Sequence, residues 1–125
     1  MMFTKHFTPQ AANKRLPLVK TIVADILEKG KRARMLLASS SPDNNADEVD
    51  HLQEKMEALM VELEQLGCFY KDWNFEIGLV DFPSIINGQE VLLCWRSDEP
   101  IVRWYHGLEA GFAGRKLIPE DLLDL

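Results

Sequence analysis

Apolar residues return at helical spacing along the first third of the chain. Ala12, Leu16, Val19, Val23, Ile26, Ala33 and Leu37 fall on one stripe, the rhythm of an amphipathic helix. Thr8 offers a side-chain cap, and Pro9 suits the first helical position, where its missing N–H costs nothing. The pattern predicts a helix over about 9–38, bent near Pro17, which lies inside the stripe. Ser39–Ala46 reads SSSPDNNA, a small polar stretch that predicts a loop. A second helix then starts near Asn45, whose side chain can cap, with Glu48 three residues on. Val49, Leu52, Met56, Leu59, Leu63 and Leu66 follow at intervals of 3, 4, 3, 4 and 3, a heptad seam. Gly67 supplies a left-handed stop.

From Cys68 the period changes. Cys68–Lys71, Glu76–Pro83, Gln89–Trp95 and Ile101–His106 read as strands. Asn87-Gly88 is a strong two-residue hairpin signal, because a type I′ turn needs positive φ at both positions. Pro83 lacks a donor and belongs at an edge or a strand end. Residues 107–125 hold three glycines, a turn at Pro119 and a short terminal helix. The expected architecture is α+β in one domain, 1–125. An antiparallel, coiled-coil-like helical hairpin (8–67) packs on a small three- to four-stranded antiparallel sheet with its tail (68–125).

Charge supports that layout. The net charge is −6, but residues 1–37 carry +6, 38–72 carry −7 and 73–125 carry −5. Folding back near residue 42 sets Arg34 by Asp50, Lys31 by Glu54 and Lys20 by Glu64. Exposed pairs contribute only ~0.2–1 kcal/mol each, so they set register more than stability. An acidic total argues against general nucleic-acid binding. The basic run 29–34 reads as a paired, solvated face. No apolar run approaches the ~20 residues of a membrane span, and no signal-peptide core opens the chain. A cytoplasmic location is expected, with Cys68 and Cys94 as reduced thiols.

The hairpin register gathers the polar residues of the second half. With a two-residue turn at Asn87-Gly88, Asp81 faces Cys94 and Phe82 faces Leu93. With a four-residue turn over Ser97–Pro100, Cys94 faces Arg103 and Leu93 faces Trp104. Alternation then puts Val91, Leu93, Trp95, Val102 and Trp104, with His106 at the end, on a core face. Leu79, Asp81, Cys94, Arg96, Ile101, Arg103 and Tyr105 share the other. Asp81, Arg96 and Arg103 are an anion pocket or a cross-strand ion-pair ladder. Cys94 is a nucleophile or a small buried hydrophobe. His106 and Glu109, with Asp81, have helical i, i+3 spacing for a metal; the alternative is a structural histidine at a strand end. Arg115 is expected to anchor the Gly107/Gly111/Gly114 loop on Asp81 or Glu109, with Phe112 in the core.

GLVDFPS (78–84), an Asn-Gly turn, EVLLCWR (90–96), EP (99–100), WYH (104–106) and AGFAGR (110–115) together resemble a bacterial family known as domain of unknown function 2203. FTPQAANKRLPLV (7–19) fits the opening of that family. The resemblance implies the hairpin-plus-sheet fold and no activity. Cell-division-like labels on some members reflect the helical half. The positions matching the family motif are Asp81, Trp95, Arg96, Glu99, Trp104, His106, Gly111, Phe112 and Arg115. Here His106 is followed by Gly-Leu-Glu, where the family pattern reads Glu-Leu-Asp, which counts against a metal there.

Two functions follow. The first is a non-enzymatic interaction or structural module, a homodimer with room for a protein partner along the hairpin, needing no cofactor and no metal. The second is a small enzyme or an anion- or metal-ligand-binding protein using Asp81, Arg96, Arg103, His106, Glu109 and Arg115.

Overall fold

A computed structural model describes residues 1–39 and 45–123. The loop expected over Ser39–Ala46 lies mostly outside them, as does the end of the tail. Helix α1 spans Pro9–Leu37 and runs through Pro17. Thr8 caps it, accepting the Ala11 N–H at 3.1 Å. Helix α2 spans Ala46–Leu66. Asn45 does not cap α2; its amide donates instead to the Leu36 carbonyl and the Ser39 hydroxyl, closing the end of α1. Gly67 stops α2 with φ +98°. Cys68 N–H then bonds the Leu63 carbonyl and Gly67 N–H that of Glu64, a Schellman closure.

The two helices pack antiparallel. Among the described residues, Arg32 pairs with Glu48 near the turn at 2.6 Å. The pairings expected for Arg34, Lys31 and Lys20 do not form. Arg34 reaches Glu76 instead, and Lys20 donates to the Pro100 carbonyl. A long exposed side chain takes the nearest acceptor, and charge pattern alone does not choose it.

Among the described residues, five antiparallel strands follow in chain order, one or two more than the sequence suggested. They are β1 (Phe69–Tyr70), β2 (Leu79–Ile86), β3 (Gln89–Arg96), β4 (Trp104–Gly107) and β5 (Lys116–Leu117). A short helix α3, Glu120–Leu123, ends the described chain. The β2–β3 turn is the expected one. Asn87 and Gly88 have φ of +52° and +77°, and Asp81 faces Cys94. Pro83 sits within β2, and its carbonyl accepts the Phe7 N–H. A residue's N–H and C=O leave an antiparallel strand on the same side, so the missing donor faces that edge and not β3.

The core forms where α1 lies on one face of this sheet. Leu16, Val19, Val23 and Ile26 pack with Val80, Phe82, Leu93 and Trp95, and Leu63 of α2 joins them. Toward the hairpin tip a smaller cluster holds Ala33, Leu52 and Met56, covered by Phe75 from the β1–β2 connection. Phe75 rests on Gly30, where a Cβ would lie 2.4 Å from its ring.

The β3–β4 register departs from expectation by one residue. Cys94 faces Trp104, not Arg103, and Leu92 faces His106. Residues 101–103 are not a strand. Val102 is fully buried, and its backbone N–H and C=O both bond the side chain of Asn13 on α1. The chain thus leaves the sheet after Arg96, touches α1 and rejoins at Trp104. Because side chains alternate, the slip moves every β4 residue to the opposite face. Trp104 and His106 go to the outer face, and Tyr105 to the core side.

Candidate functional site

The outer face of the sheet carries the chemistry. Asp81 on β2, Cys94 on β3 and His106 on β4 stand side by side, each held by a paired strand. All three are buried, at 5%, 1% and 4% exposure. One ligating atom from each lies within 4.8 Å of the others. They form the floor of a pocket of about 370 Å³, with Leu79, Leu92, Leu108 and Phe112 as apolar walls. Lys71, Glu109 and Gly111 complete its lining. Among the described residues, neither Lys71 nor Glu109 makes an ion pair.

His106 is oriented from behind. Its Nδ1 lies 2.7 Å from the Gly107 carbonyl, which can only accept, so Nδ1 carries a proton. Nε2 then faces Asp81 Oδ1 at 3.3 Å. Two lone pairs cannot face each other in a buried site, so the two groups share a proton. Hydrogen bonding to Asp81 raises the His106 pKa against the opposing effect of burial. The Cys94 thiol is pushed up to about 12 by burial and by the Asp81 carboxylate, which outweigh the nearby Arg115 guanidinium. A thiol held that firmly is no nucleophile at neutral pH.

The expected cluster comes together only in part. Asp81 and Arg96 share a face, yet Arg96 turns to Asp98 at 2.6 Å. Arg103 is exposed, because the register slip takes it out of the ladder. Asp81 therefore pairs with His106, and neither the anion pocket around two guanidiniums nor the ion-pair ladder exists. Glu109 is at the pocket's exposed rim.

Arg115 anchors the glycine loop, but on Glu99. Two bonds of 2.9 Å join the pair. The guanidinium is stacked between Trp104 at 4.6 Å and Phe112 at 4.3 Å. Phe112 is 40% exposed, not in the core; it lies between the charged groups of Arg115 and Arg96. Glu99 also accepts the Arg96 N–H, and its carbonyl accepts the Trp95 indole N–H. This knot ties residues 108–115 over the outer face, forming the pocket roof. Sequence reading passed over Lys71, named Glu99 only as a family-motif position, and left Cys94 out of the ligand-binding set. Cys94 was findable, since the β2–β3 register alone puts it opposite Asp81. Nothing local marks Glu99 as the partner of Arg115.

The family model described as uncharacterized conserved protein (DUF2203) matches residues 5–118. The chain belongs to that family. The matched span takes in the DUF2203 hairpin, the sheet and every residue of the pocket. No curated protein and no solved structure matches the chain. Among the described residues no helix is long and apolar enough to cross a membrane.

Proposed function

We propose that this DUF2203 protein binds a small zwitterionic molecule with an apolar body, the chemistry of a free apolar amino acid. One observation carries the reading: Lys71 and Glu109, opposite in charge and unpaired among the described residues, line one pocket whose walls are Leu79, Leu92, Leu108 and Phe112. The volume of about 370 Å³ lies in the range of small-molecule sites. The lining holds two acids, Asp81 and Glu109, and two bases, His106 and Lys71, so neither sign dominates. A net anion or cation therefore gains less than a ligand bearing both charges.

Calorimetric titration with phenylalanine, 3-phenylpropanoate and 2-phenylethylamine tests this. The zwitterion binds at least about tenfold more tightly than either half, a difference of ~1.4 kcal/mol. Lys71→Ala and Glu109→Ala remove that advantage. Equal binding of all three, or none, sinks the proposal.

A second reading, self-association through the hairpin, is favoured by Met35, Leu37 and Val61, exposed at 73%, 56% and 48% on the helices. Sedimentation of the full chain decides: a monomer at all concentrations removes this reading.

A further inference from the structure

We infer that Asp81, Cys94 and His106 are a three-ligand site for a zinc-class divalent metal, with the remaining coordination position open to the pocket. The inference goes beyond the zwitterion reading and does not need it. The donor set comes first. Thiolate, imidazole and carboxylate suit zinc, cobalt or iron, whereas magnesium and calcium favour oxygen alone. Three protein ligands with one open position mark a metal that meets a ligand, as opposed to a closed structural site.

Geometry agrees. Metal–ligand bonds of about 2.0–2.3 Å at tetrahedral angles set ligand atoms about 3.3–3.8 Å apart. Asp81 Oδ1 and His106 Nε2 are 3.3 Å apart, and Cys94 Sγ lies within 4.8 Å of both. Small rotamer shifts close the remainder. The His106 Nδ1–H held by the Gly107 carbonyl is the outer contact that aims a ligating imidazole. It is supplied by the backbone next to His106, so the side chain missing at Gly107 is not needed for it. Each ligand sits on a different strand of a hydrogen-bonded sheet, which keeps the site pre-formed.

Charge balances as well. The divalent ion displaces two protons, one from the Cys94 thiol and one shared by His106 Nε2 and Asp81. The thiolate and carboxylate then neutralise it. Arg115, the guanidinium nearest the thiol, is held by Glu99 through two hydrogen bonds, which weakens its repulsion of the ion. The other thiol, Cys68, donates to the Leu63 carbonyl and belongs to the core. It provides an internal control.

The test is cobalt(II) titration of the full chelator-treated chain, with no amino acid present. One cobalt per chain binds with a thiolate-to-cobalt charge-transfer band, zinc displaces it, and magnesium does not. Cys94→Ser abolishes the band and Cys68→Ala leaves it. Asp81→Asn, close to isosteric, keeps the band at saturation but weakens binding by at least about tenfold. Circular dichroism confirms that each variant is folded. No stoichiometric binding, a band that survives Cys94→Ser, or unchanged affinity in Asp81→Asn overturns the inference. Because the readout is the metal's own spectrum, a failed amino-acid titration leaves it standing.

Discussion

The two faces of the sheet are built from the same strands and do opposite work. On the inner face Val80, Phe82, Leu93 and Trp95 are at most 1% exposed and pack into the main hydrophobic cluster. On the outer face the alternate residues Asp81, Cys94 and His106 are as deeply buried, yet polar. Two helices cover the first face. The second is covered by chain segments held through polar latches: Arg115–Glu99 over the pocket, and Glu90 with the N-terminal arm at the other end. Burial alone therefore does not separate fold from site; the kind of cover does. A face sealed by helices contributes the stability, at ~1.5–3 kcal/mol per large side chain. That leaves the latched face room for groups that cost stability.

The largest expected effect tests that asymmetry directly. Phe82→Ala on the inner face loses about 3–5 kcal/mol, the transfer term plus a cavity. Cys94→Ala, one residue over in the same ladder and facing outward, loses about 1 kcal/mol. Urea unfolding with a common m-value measures both. Equal losses would mean that the outer face is as much a core as the inner one.

The latch over the pocket comes next. Arg115→Ala leaves Glu99 with an uncompensated carboxylate and removes the stacked group between Trp104 and Phe112. Breaking a buried pair costs about 3–5 kcal/mol, and here slight exposure of both partners brings it to about 2–3. Arg115→Lys does not restore it, since an ammonium cannot make the two-pronged contact. Hydrogen exchange then rises at residues 108–114 and stays unchanged at Leu93. Loss of protection on both faces would show that the roof and the core unfold as one.

Sequence pattern reached the inner face and stopped short of the outer one. The helical stripe, the heptad seam, the Gly67 stop and the Asn87-Gly88 turn are local signals, and each is where it was expected. The β2–β3 register followed from turn chemistry, which placed Asp81 opposite Cys94. The next register depended on a contact invisible in sequence: Asn13, about ninety residues earlier, binds the Val102 backbone and lengthens the β3–β4 connection. That single slip decided whether His106 entered the core or the site. Arg96, Arg103 and Arg115 were misassigned for a related reason. Flexible cations find partners by proximity in the fold, and Glu99 and Asp98 were nearer than Asp81.

The smallest effect concerns the other latch. Glu90 accepts the backbone N–H groups of Met2 and Phe3 and pairs with His6 at 2.7 Å, while Phe3 packs on Phe69 at the edge of the outer face. Partial burial would raise its pKa, but hydrogen bonds from His6, Phe3 and Met2 prevail and hold it down to about 2, below the ordinary 4.5. A depressed carboxylate stabilises the folded arm above its ordinary value and loses that contribution as pH falls through the folded one. The arm therefore stays closed from neutral pH to about 4.5 and opens as pH drops toward 2. The Phe3 amide shift, followed by NMR, titrates with a midpoint near 2, and Glu90→Gln removes that step. A midpoint at 4.5 would mean that the clamp does not form. If the arm opens while the amides of residues 108–114 keep their protection, the outer face carries two independent latches. If both open together, the polar face behaves as one cooperative unit, and the contrast with the helix-sealed face becomes a matter of degree.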